Sequence, residues 1–514
     1  MNLSDWIVKH ADLTPTKMAV RCGVRDLTYA AMAGDVSRLA AALKNTYQIG
    51  RGDRVALLGE NTAQSLVLAF ACARLGAIFQ PLNWRQAAPE HTFVLNDSSP
   101  KVLFATSTFK DVIDGIIADI PPLAVIDLED GGQSSWPSYQ SLLEGAPEGF
   151  MGDPAVGIKD AFLLCYTSGT TGRPKGAVLS QNALFFNAKN SQHMHGLTSD
   201  DEVLVPLPLF HVGGLNILAT PSLQVGATVH LTPSFDVDEI FDILEQRRIT
   251  LTVMVPTQLS AMLASPRWPT SDLSALRSIS TGSTLVPVPL IEKIQHKGIP
   301  VIQVYGSTET TPLATYQTAE NSANSIGSGG KAGLHCEVKI VDEDDSEVKA
   351  GTSGEILVKG PNVLTEYWND RQATTDALKD GWFYTGDIGH FDENGFIYID
   401  DRKKDMIISG GENIYPAMLE NILADCPGVR ESAVVGKADE KWGEVAIAVI
   451  SKDRGCDLDK DAVITHFDGR IGNFAVPRDV VFVEALPRNA MGKIVKDEVR
   501  ALVRTIHEAG GDVP

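Results

Sequence analysis

Three stretches of the chain alternate short apolar runs with amphipathic segments. The first, between Asp53 and Asn83, joins RVALLG, the helical pattern AQSLVLAFACARLG and AIFQPLN. The second joins ATVHLT, VDEIFDILEQRR and TLTVMVPT, and the third joins LRSISTGS, LIEKIQHKG and PVIQVYG. Short Val, Ile and Leu runs separated by such helices predict βαβ units, and therefore mostly parallel sheets covered by helices on both faces.

Beyond about Gly327 the pattern becomes β-rich. Gly-rich turns separate the strand patterns EVKIVD, GEILVKG and GFIYID, and the acidic run 342-DEDDSE-347 is typical of a solvated hairpin loop. After DRKKD at 401–405 the pattern becomes helix (AMLENILADC), strand (ESAVVGKA), strand (EVAIAVIS), helix (AVITHFDGRI) and strand (DVVFVEA). This order predicts a compact α+β unit at the C-terminus.

The length of 514 residues also favours two or more domains. We therefore expect an α/β protein with a boundary near Arg402 to Lys404. Residues 1–402 form a large N-terminal domain of doubly wound βα sheets plus a β-rich subdomain. Residues 403–514 form a small α+β C-terminal domain.

The charge balance is acidic: 44 Lys and Arg face 65 Asp and Glu, which gives a net charge of −21. This balance disfavours general binding to nucleic acid or to an anionic membrane, because both need a basic face. An anionic substrate is still allowed, provided that the basic groups are local.

The six cysteines are scattered with no paired spacing, which favours a reducing compartment over a disulfide framework or a zinc site. The N-terminus MNLSDWIVKHADLTP has no basic region followed by an apolar stretch, so no signal peptide is predicted. No apolar run reaches the roughly 18 residues of a membrane span. We expect a cytoplasmic protein.

The stretch 166-YTSGTTGRPKGA-177 has the composition of a phosphate-binding loop or of a solvated Gly/Ser/Thr turn. A Walker loop is excluded, because Pro174 precedes Lys175, Gly176 follows it, and AFLLCY and GAVLS on either side predict strand–loop–strand. The glycines allow inward-facing N–H groups, and Lys175 adds a mobile charge. The loop alone leaves both interpretations open.

The segment from Tyr166 to Gly176 resembles the signature loop of the acyl-adenylate-forming superfamily, which contains acyl-CoA synthetases, luciferases and peptide-synthetase adenylation domains. Its other motifs follow in order: 206-PLPLFHVGG-214, 305-YGSTE-309, 382-WFYTGDIG-389, 401-DRKKDMIISGGENIYP-416 and 487-PRNAMGKI-494. The βα units before residue 166 fit the fold of that superfamily.

The resemblance implies two half-reactions. A carboxylate attacks the α-phosphate of ATP to give acyl-AMP and pyrophosphate, and a thiol then displaces AMP. Both steps develop negative charge that needs fixed positive or hydrogen-bonding groups, and the first also needs Mg²⁺ to shield the triphosphate. The implied co-substrates are ATP and coenzyme A.

The motif positions imply individual roles. The loop holds the β- and γ-phosphates, Glu309 reaches the metal with Thr308 beside the α-phosphate, and Tyr305 stacks on adenine. Asp387 accepts hydrogen bonds from the ribose hydroxyls, and Arg402 contacts ribose and phosphate. The implied ATP- and AMP-binding residues are Thr167, Ser168, Gly169, Thr170, Thr171, Lys175, Ser283, Tyr305, Gly306, Thr308, Asp387, Arg402 and Lys493.

Lys493 occupies the family position of the catalytic lysine that bridges the carboxylate and the α-phosphate during adenylation. Lys404 matches the hinge of a mobile C-terminal domain. Rotation there would withdraw Lys493 and bring 409-SGGENIYP-416 to the active site, where Gly410 and Gly411 allow the pantetheine arm to pass.

His211 has two candidate roles: a general base, given the near-neutral pKa of histidine, or an aromatic gate between the acyl pocket and the thiol tunnel. We expect the gate, because no Asp or Glu lies close in sequence to orient the ring. The implied acyl pocket contains His211, Val212, Gly213, Gly214, Gly282, Thr310 and Thr311.

The pocket segments 209–217, 281–285 and the residues after Glu309 contain no Lys or Arg, which disfavours a second carboxylate such as that of malonate. They are apolar with scattered hydroxyls, and Gly213 and Gly214 leave room for length or a ring. Hydroxycinnamate-like, benzoate-like and medium-chain fatty acids remain open.

No carrier-protein domain follows Lys493, so a free thiol, most naturally CoA, is the expected acceptor. The implied CoA contacts are Arg85, Gly410, Gly411, Trp442, Phe474 and Arg478.

The function that these expectations describe is an AMP-forming carboxylate–CoA ligase. The alternatives are a stand-alone adenylating enzyme that loads a carrier protein, and a non-catalytic nucleotide-binding member of the fold. The oligomeric state is open, with a homodimer as one alternative.

Two positions depart from the family pattern. TGST at 281–284 stands where many relatives have Gly-Gly-Ala, which weakens the assignment of the adenine-side contacts. Lys496 stands where an Arg is common, a change that keeps the charge but loses the bidentate geometry of a guanidinium.

Overall fold

The computed structural model describes residues 2–23, 25–129, 135–167, 174–282, 286–409, 412–439, 441–472, 475–489 and 492–508. Two large sheets form the N-terminal part. One has seven strands, in the spatial order Glu366–Tyr367, Lys175–Ser180, Ala161–Thr167, Ile78–Pro81, Arg54–Leu58, Val102–Ala105 and Ala124–Asp127. The other has nine, in the order Lys331–Ala332, Thr315–Tyr316, Val301–Tyr305, Ser278–Thr281, Leu251–Val253, Glu202–Val205, Thr228–Leu231, Met18–Cys22 and Arg25–Thr28.

The central strands of both sheets are parallel, as the βαβ patterns predict, and antiparallel strands are confined to the ends. The helices of this part are Ser4–Leu13, Tyr29–Tyr47, Ala63–Leu75, Ala88–Ser98, Lys110–Ile116, Tyr139–Glu144, Gln181–His195, Val212–Gly214, Thr220–Val225, Val237–Gln246, Pro256–Ala264, Val288–Gln295 and Arg371–Ala377. A π-helical turn covers Leu215–Ala219, and 3₁₀ turns cover Ser107–Phe109, Thr308–Thr310 and Ser322–Asn324.

The helix Ala63–Leu75 lies in the largest core cluster, which also contains residues of both sheets. Nearly all of its side chains are buried, so this helix is apolar on every face and is not amphipathic as predicted. The Thr62 side chain accepts a hydrogen bond from Ser65 N–H at its start, and Gly76 ends it with φ +65°. This helix therefore packs the two sheets together.

Five strands after Gly327 form a separate antiparallel sheet, as the Gly-punctuated pattern predicts, whereas Lys331–Ala332 and Glu366–Tyr367 join the two large sheets. Its strands are Glu337–Val341, Gly354–Lys359, Trp382–Phe391 and Leu378–Lys379, with Ile397–Arg402 paired to Trp382–Phe391. The run 342–347 connects its first two strands and is exposed, as expected of a solvated hairpin loop.

The C-terminal sheet contains Glu412–Ile414, Ile407–Ser409, Gly443–Lys452 and Val429–Asp439, with Asp479–Val483 paired to Gly443–Lys452. Its helices are Pro416–Ala424, Lys460–Thr465 and Lys496–Glu508. The helix expected over AVITHFDGRI starts two residues earlier and ends at Thr465, before Gly469, which has φ +71°. The last helix was not predicted.

The expected domain boundary after Arg402 coincides with the end of a strand. Ile397–Arg402 belongs to the β-rich sheet, whereas Ile407–Ser409 belongs to the C-terminal sheet. This change of sheet supports the boundary, which stays a prediction. Within the described residues, every helix is too short or too polar to span a membrane.

Candidate active site

The two strands predicted on either side of the glycine-rich loop are confirmed. Ala161–Thr167 and Lys175–Ser180 are antiparallel neighbours, and Thr167 lies opposite Lys175 where the hairpin opens into the loop. The Thr167 hydroxyl donates to the Lys175 carbonyl at 3.4 Å. The loop residues Ser168, Gly169, Thr170 and Thr171 lie outside the described residues.

Glu309 lies in the 3₁₀ turn Thr308–Thr310, directly after the strand Val301–Tyr305. Its carboxylate accepts a hydrogen bond from the Tyr367 hydroxyl at 2.9 Å. The preceding Gly306 permits this tight turn, because a Cβ there would overlap the carbonyl of Pro312. Thr308 is buried beside Glu309.

Asp387 and Arg402 are opposite each other on neighbouring antiparallel strands. Arg402 Nε lies 2.7 Å from Asp387 Oδ1, and the Tyr305 hydroxyl donates to Asp387 Oδ2 at 2.8 Å. Burial raises the pKa of Asp387, although the Arg402 charge acts against that rise. Burial also raises the pKa of Tyr305, which keeps the phenol protonated as a donor. The three residues form one connected polar group.

Lys493, from the C-terminal part of the chain, interacts electrostatically with Arg402 and Asp387 of this group. Its own loop is closed by two hydrogen bonds: Lys493 N–H donates to Asn489 Oδ1 at 3.0 Å, and Asn489 N–H donates to the Lys493 carbonyl at 2.9 Å. Burial and the Arg402 charge lower the pKa of Lys493 to about 8, while Asp387 and Glu309 oppose that shift. The ammonium therefore lies within electrostatic range of residues from the N-terminal part.

His211 lies close to the same lysine. Burial, together with the Lys493 charge, lowers the pKa of His211 to about 3. Its Nδ1 accepts a hydrogen bond from Gly213 N–H at 3.1 Å and so caps the helix that begins at Val212. An imidazole whose basicity is lowered in this way, and whose Nδ1 lone pair accepts a backbone N–H, is a poor general base, and this geometry favours the gate.

At two of the predicted acyl-pocket positions, nearby backbone carbonyls leave no room for a side chain. A Cβ at Gly214 would overlap the carbonyl of Pro208, and one at Gly282 would lie 2.7 Å from the Val304 carbonyl. At Gly213 the nearest neighbour of a Cβ would be His211 Nδ1, at 3.0 Å. Close packing therefore explains Gly214 and Gly282 without a ligand.

The hydroxyls expected in the acyl pocket are likewise engaged in structure. Thr310 accepts from Ser307 N–H at 2.9 Å, and Thr311 donates to the Asn362 carbonyl at 2.6 Å. Both residues are buried, as is Val212. Their place in an acyl pocket stays a prediction, and Ser283 lies outside the described residues.

Of the expected CoA contacts, Trp442 and Arg478 are brought together. The Arg478 guanidinium lies 5.7 Å from the Trp442 ring centroid, and the ring is 37% exposed. Arg85 is placed instead against Trp84 and Phe210, at 4.6 and 5.8 Å from their rings. Gly410, Gly411 and Phe474 lie outside the described residues.

The expected hinge residue Lys404 lies 3.6 Å from Asp497 of the last helix. Lys496, the departure from the family pattern, lies 3.1 Å from Glu420 and 3.7 Å from Asp401. Lys496 reaches both carboxylates, so they have a cationic partner although an arginine is common at this position in the family.

Tyr367 is a site residue that sequence reasoning missed. In the sequence it belongs to the ordinary stretch TEYW, and its partner Glu309 lies 58 positions away. Its ring also lies 5.5 Å from Lys175 Nζ. No signal in the local pattern distinguishes it from a half-buried strand tyrosine.

The described side chains suit a metal ion that is bound mainly by the phosphates of its nucleotide. No cluster of three or more His, Cys, Asp or Glu side chains able to hold a metal occurs among the described residues. Mg²⁺ often binds through one or two carboxylates plus substrate phosphates and water. Glu309 suits that mode because it supplies one carboxylate. Its hydrogen bond from Tyr367 links it to the hairpin of Ala161–Thr167 and Lys175–Ser180, the phosphate-loop hairpin.

Comparison with known proteins gives the family. The sequence model of the AMP-binding enzyme family matches residues 7–368, and that of the AMP-binding enzyme C-terminal domain matches residues 418–493. An indoleacetate–CoA ligase of Aromatoleum aromaticum is 52% identical over 506 residues, which cover 98% of each chain. A feruloyl-CoA synthase of an Amycolatopsis species is 39% identical over 501 residues, which cover 97% of this chain and 98% of the relative.

Among solved structures, the o-succinylbenzoate coenzyme A synthetase (MenE) of Bacillus subtilis in complex with ATP and a magnesium ion superposes with a TM-score of 0.84. It is 32% identical, and the match covers 97% of this chain and 99% of that one. The motif order, the fold and the two family matches agree over residues 7–368 and 418–493. The chain therefore belongs to the AMP-binding enzyme family, within the acyl-adenylate-forming superfamily that its motifs resemble.

Proposed function

We propose that the protein is an AMP-forming carboxylate–CoA ligase that activates an aromatic acid. The observation that carries the proposal is the position of Lys493. It comes from the C-terminal part of the chain, yet its pKa responds to Arg402, Asp387 and Glu309 of the N-terminal part. A cation from the C-terminal part of the chain that interacts with the proposed nucleotide-binding residues supports adenylation of a carboxylate.

In the first half-reaction the acid carboxylate attacks the α-phosphate of ATP. Tyr305 and Asp387 hold adenosine, Arg402 contacts ribose and phosphate, and Lys175 meets the β- and γ-phosphates. Lys493 bridges the carboxylate and the α-phosphate, where negative charge develops in the transition state. A preorganised cation at that point lowers the barrier because it needs no reorganisation during the reaction.

Glu309 and the phosphates of ATP would together hold Mg²⁺, with Thr308 beside the α-phosphate. When bound, the metal supplies charge neutralisation for the triphosphate. Glu309 contributes an oriented carboxylate, because its hydrogen bond from Tyr367 fixes one of its oxygens.

In the second half-reaction CoA displaces AMP. Rotation at Lys404 would withdraw Lys493 and bring 409–416, with Gly410 and Gly411, to the acyl-adenylate. The proposed CoA nucleotide contacts are Trp442, Arg478, Phe474 and Arg85. Trp442 supports this role, because an exposed indole beside an arginine can stack on adenine.

The choice of an aromatic acid rests on the relatives and on the pocket segments. The indoleacetate–CoA ligase and the feruloyl-CoA synthase are named for acids with an aromatic ring. The segments 209–217 and 281–285 carry no Lys or Arg that could hold a second carboxylate. A medium-chain fatty acid is the second candidate, since the same apolar lining would accept it.

The cellular location and the assembly also stay proposals. All six cysteines are free thiols, which agrees with a reducing cytoplasmic compartment. A homodimer is the assembly to test, by light scattering of the purified protein.

The function is tested by pyrophosphate release with ATP, Mg²⁺, CoA and a panel of acids. The panel contains indoleacetate, phenylacetate, ferulate, benzoate and straight-chain acids from C4 to C12, with malonate as the dicarboxylate control. We expect acyl-CoA with the aromatic acids and none with malonate. Acyl-AMP without turnover to CoA for any acid would favour carrier-protein loading, and no pyrophosphate with any acid would favour a non-catalytic protein.

A further inference from the structure

We propose that Tyr367 is a positioning residue that fixes the metal-binding carboxylate of Glu309 relative to Lys175 of the phosphate-loop hairpin. The proposal rests on the ligase function and concerns its first half-reaction. It is drawn from two contacts of one side chain. The Tyr367 hydroxyl donates to Glu309 Oε1 at 2.9 Å, and the Tyr367 ring lies 5.5 Å from Lys175 Nζ.

The backbone places Tyr367 between the two charged groups. The short strand Glu366–Tyr367 is added to the edge of the phosphate-loop hairpin, with Tyr367 opposite Ala177. Because side chains alternate along a strand, Lys175 and Ala177 share one face, and Tyr367 lies on that same face. The ring is therefore a diagonal neighbour of the Lys175 side chain.

The same segment is tied to Glu309 through the main chain. Leu364 N–H donates to the Glu309 carbonyl at 2.7 Å, while Thr365 N–H and Trp368 N–H donate to Val178 and Gly176 of the hairpin. Residues 364–368 thus connect the turn that carries Glu309 to the strand that carries Lys175. The distance between the two charged groups depends on this segment.

The hydrogen bond from Tyr367 also distinguishes the two carboxylate oxygens of Glu309. Tyr367 uses Oε1, and among the described residues none donates to Oε2 of Glu309. The proposal assigns Oε2 to the cation.

The test separates the hydroxyl from the ring. Tyr367→Phe keeps the ring beside Lys175 and removes the donor, so Glu309 loses its fixed orientation. We expect the Mg²⁺ concentration for half-maximal pyrophosphate release to rise about tenfold, as for the loss of one hydrogen bond to a charged group. Tyr367→Leu removes the ring as well, and it should also weaken ATP binding at saturating Mg²⁺.

Tyr384→Phe is the matched control. Tyr384 also donates to a carboxylate, Asp345, at 3.1 Å, and has Lys379 Nζ 4.5 Å from its ring, but it lies in the exposed part of the β-rich sheet. That variant should keep the wild-type Mg²⁺ requirement. A general loss of packing would affect both variants, whereas a positioning role affects only Tyr367.

Calorimetric titration provides a readout that does not depend on turnover. Tyr367→Phe should bind MgATP about tenfold more weakly and AMP with unchanged affinity, because AMP lacks the phosphates that carry the metal. Unchanged MgATP affinity, or an equal loss for MgATP and AMP, overturns the proposal. If the wild-type protein releases no pyrophosphate with any acid, the ligase function fails, and this titration still decides the role of Tyr367.

Discussion

The proposed nucleotide-binding group and the proposed catalytic lysine are held in opposite ways. Asp387, Arg402 and Tyr305 lie on strands of sheets, and each is fixed by partners from the same N-terminal part of the chain. Lys493 lies in a loop closed by its own Asn489. Its electrostatic interaction with Arg402 and Asp387 depends on the way in which the two parts of the chain pack together.

This difference has a chemical consequence. The groups proposed to hold AMP are needed in both half-reactions, so a rigid sheet suits them. In the proposed mechanism the lysine acts only while the α-phosphate is attacked, so a loop in the predicted C-terminal domain lets it leave without disturbing the AMP site. Substitutions in the two regions should therefore affect the half-reactions differently.

The largest effect is expected for Lys493→Ala. Removing the cation that faces the developing charge should lower adenylation by at least about 100-fold. Thioester formation from supplied acyl-AMP should stay within about threefold of wild type, because the AMP-binding residues are intact. Rapid-quench assays of the two half-reactions measure this difference. Lys452→Ala, in the same C-terminal sheet, is the control, and equal loss of both half-reactions would contradict the comparison.

A smaller effect on both half-reactions is expected for Asp387→Asn. This change removes the charge that faces Arg402 and one acceptor for the ribose, so affinity for AMP and for ATP should fall about 30-fold. Equilibrium titration with AMP and the KM for ATP check it. Asp400→Asn removes another buried carboxylate of the same sheet, 2.9 Å from His390, and should leave both values unchanged.

The pH dependence of adenylation should reflect the titration of Lys493 alone. Because the pKa of Lys493 is lowered to about 8, its positive charge is lost as the pH rises through that value. Above it, kcat/KM for ATP should fall about tenfold per pH unit in a pyrophosphate assay without CoA. In Lys493→Arg that fall should disappear, because a guanidinium stays charged. A profile that is flat to pH 10 in the wild type would contradict the assignment.

The smallest effect is expected for His211→Phe. A general base contributes at least about 100-fold, whereas an aromatic gate replaced by another ring should cost adenylation less than about fivefold. The pKa of His211 is lowered to about 3, so neither protein should show an acidic limb near pH 6.5. A wild-type limb at that pH that is absent from His211→Phe would restore the general base.

Much of the fold followed from local patterns. Pro174 before Lys175, together with apolar runs on both sides, predicted the hairpin that excludes a Walker loop, and the structure has it. The predicted helix AVITHFDGRI was wrong in extent: it ends at Thr465. Helix ends depend on capping and on neighbouring segments, which an apolar pattern does not report.

The residues of the candidate site were predicted from the family motifs and not from the physical properties of their local sequence. Glu309, Asp387 and Lys493 each resemble an ordinary turn or surface residue when taken alone. Gly214 shows the reverse case, since the room expected for a ligand is explained by the approach of the Pro208 carbonyl. Close approaches of this kind involve backbone geometry that the sequence does not express.

The sequence by itself determined the alternation of strands and helices, the change to β-rich structure after Gly327, and the order of motifs that identifies the family. These features are local, because they depend on the spacing of apolar residues and on Gly and Pro. Only the tertiary structure decided which charged groups meet. It brought Tyr367 to Glu309 across 58 positions and Lys493 to Asp387 across the two parts of the chain. Such contacts depend on packing between distant elements, and therefore on distances that no local pattern encodes.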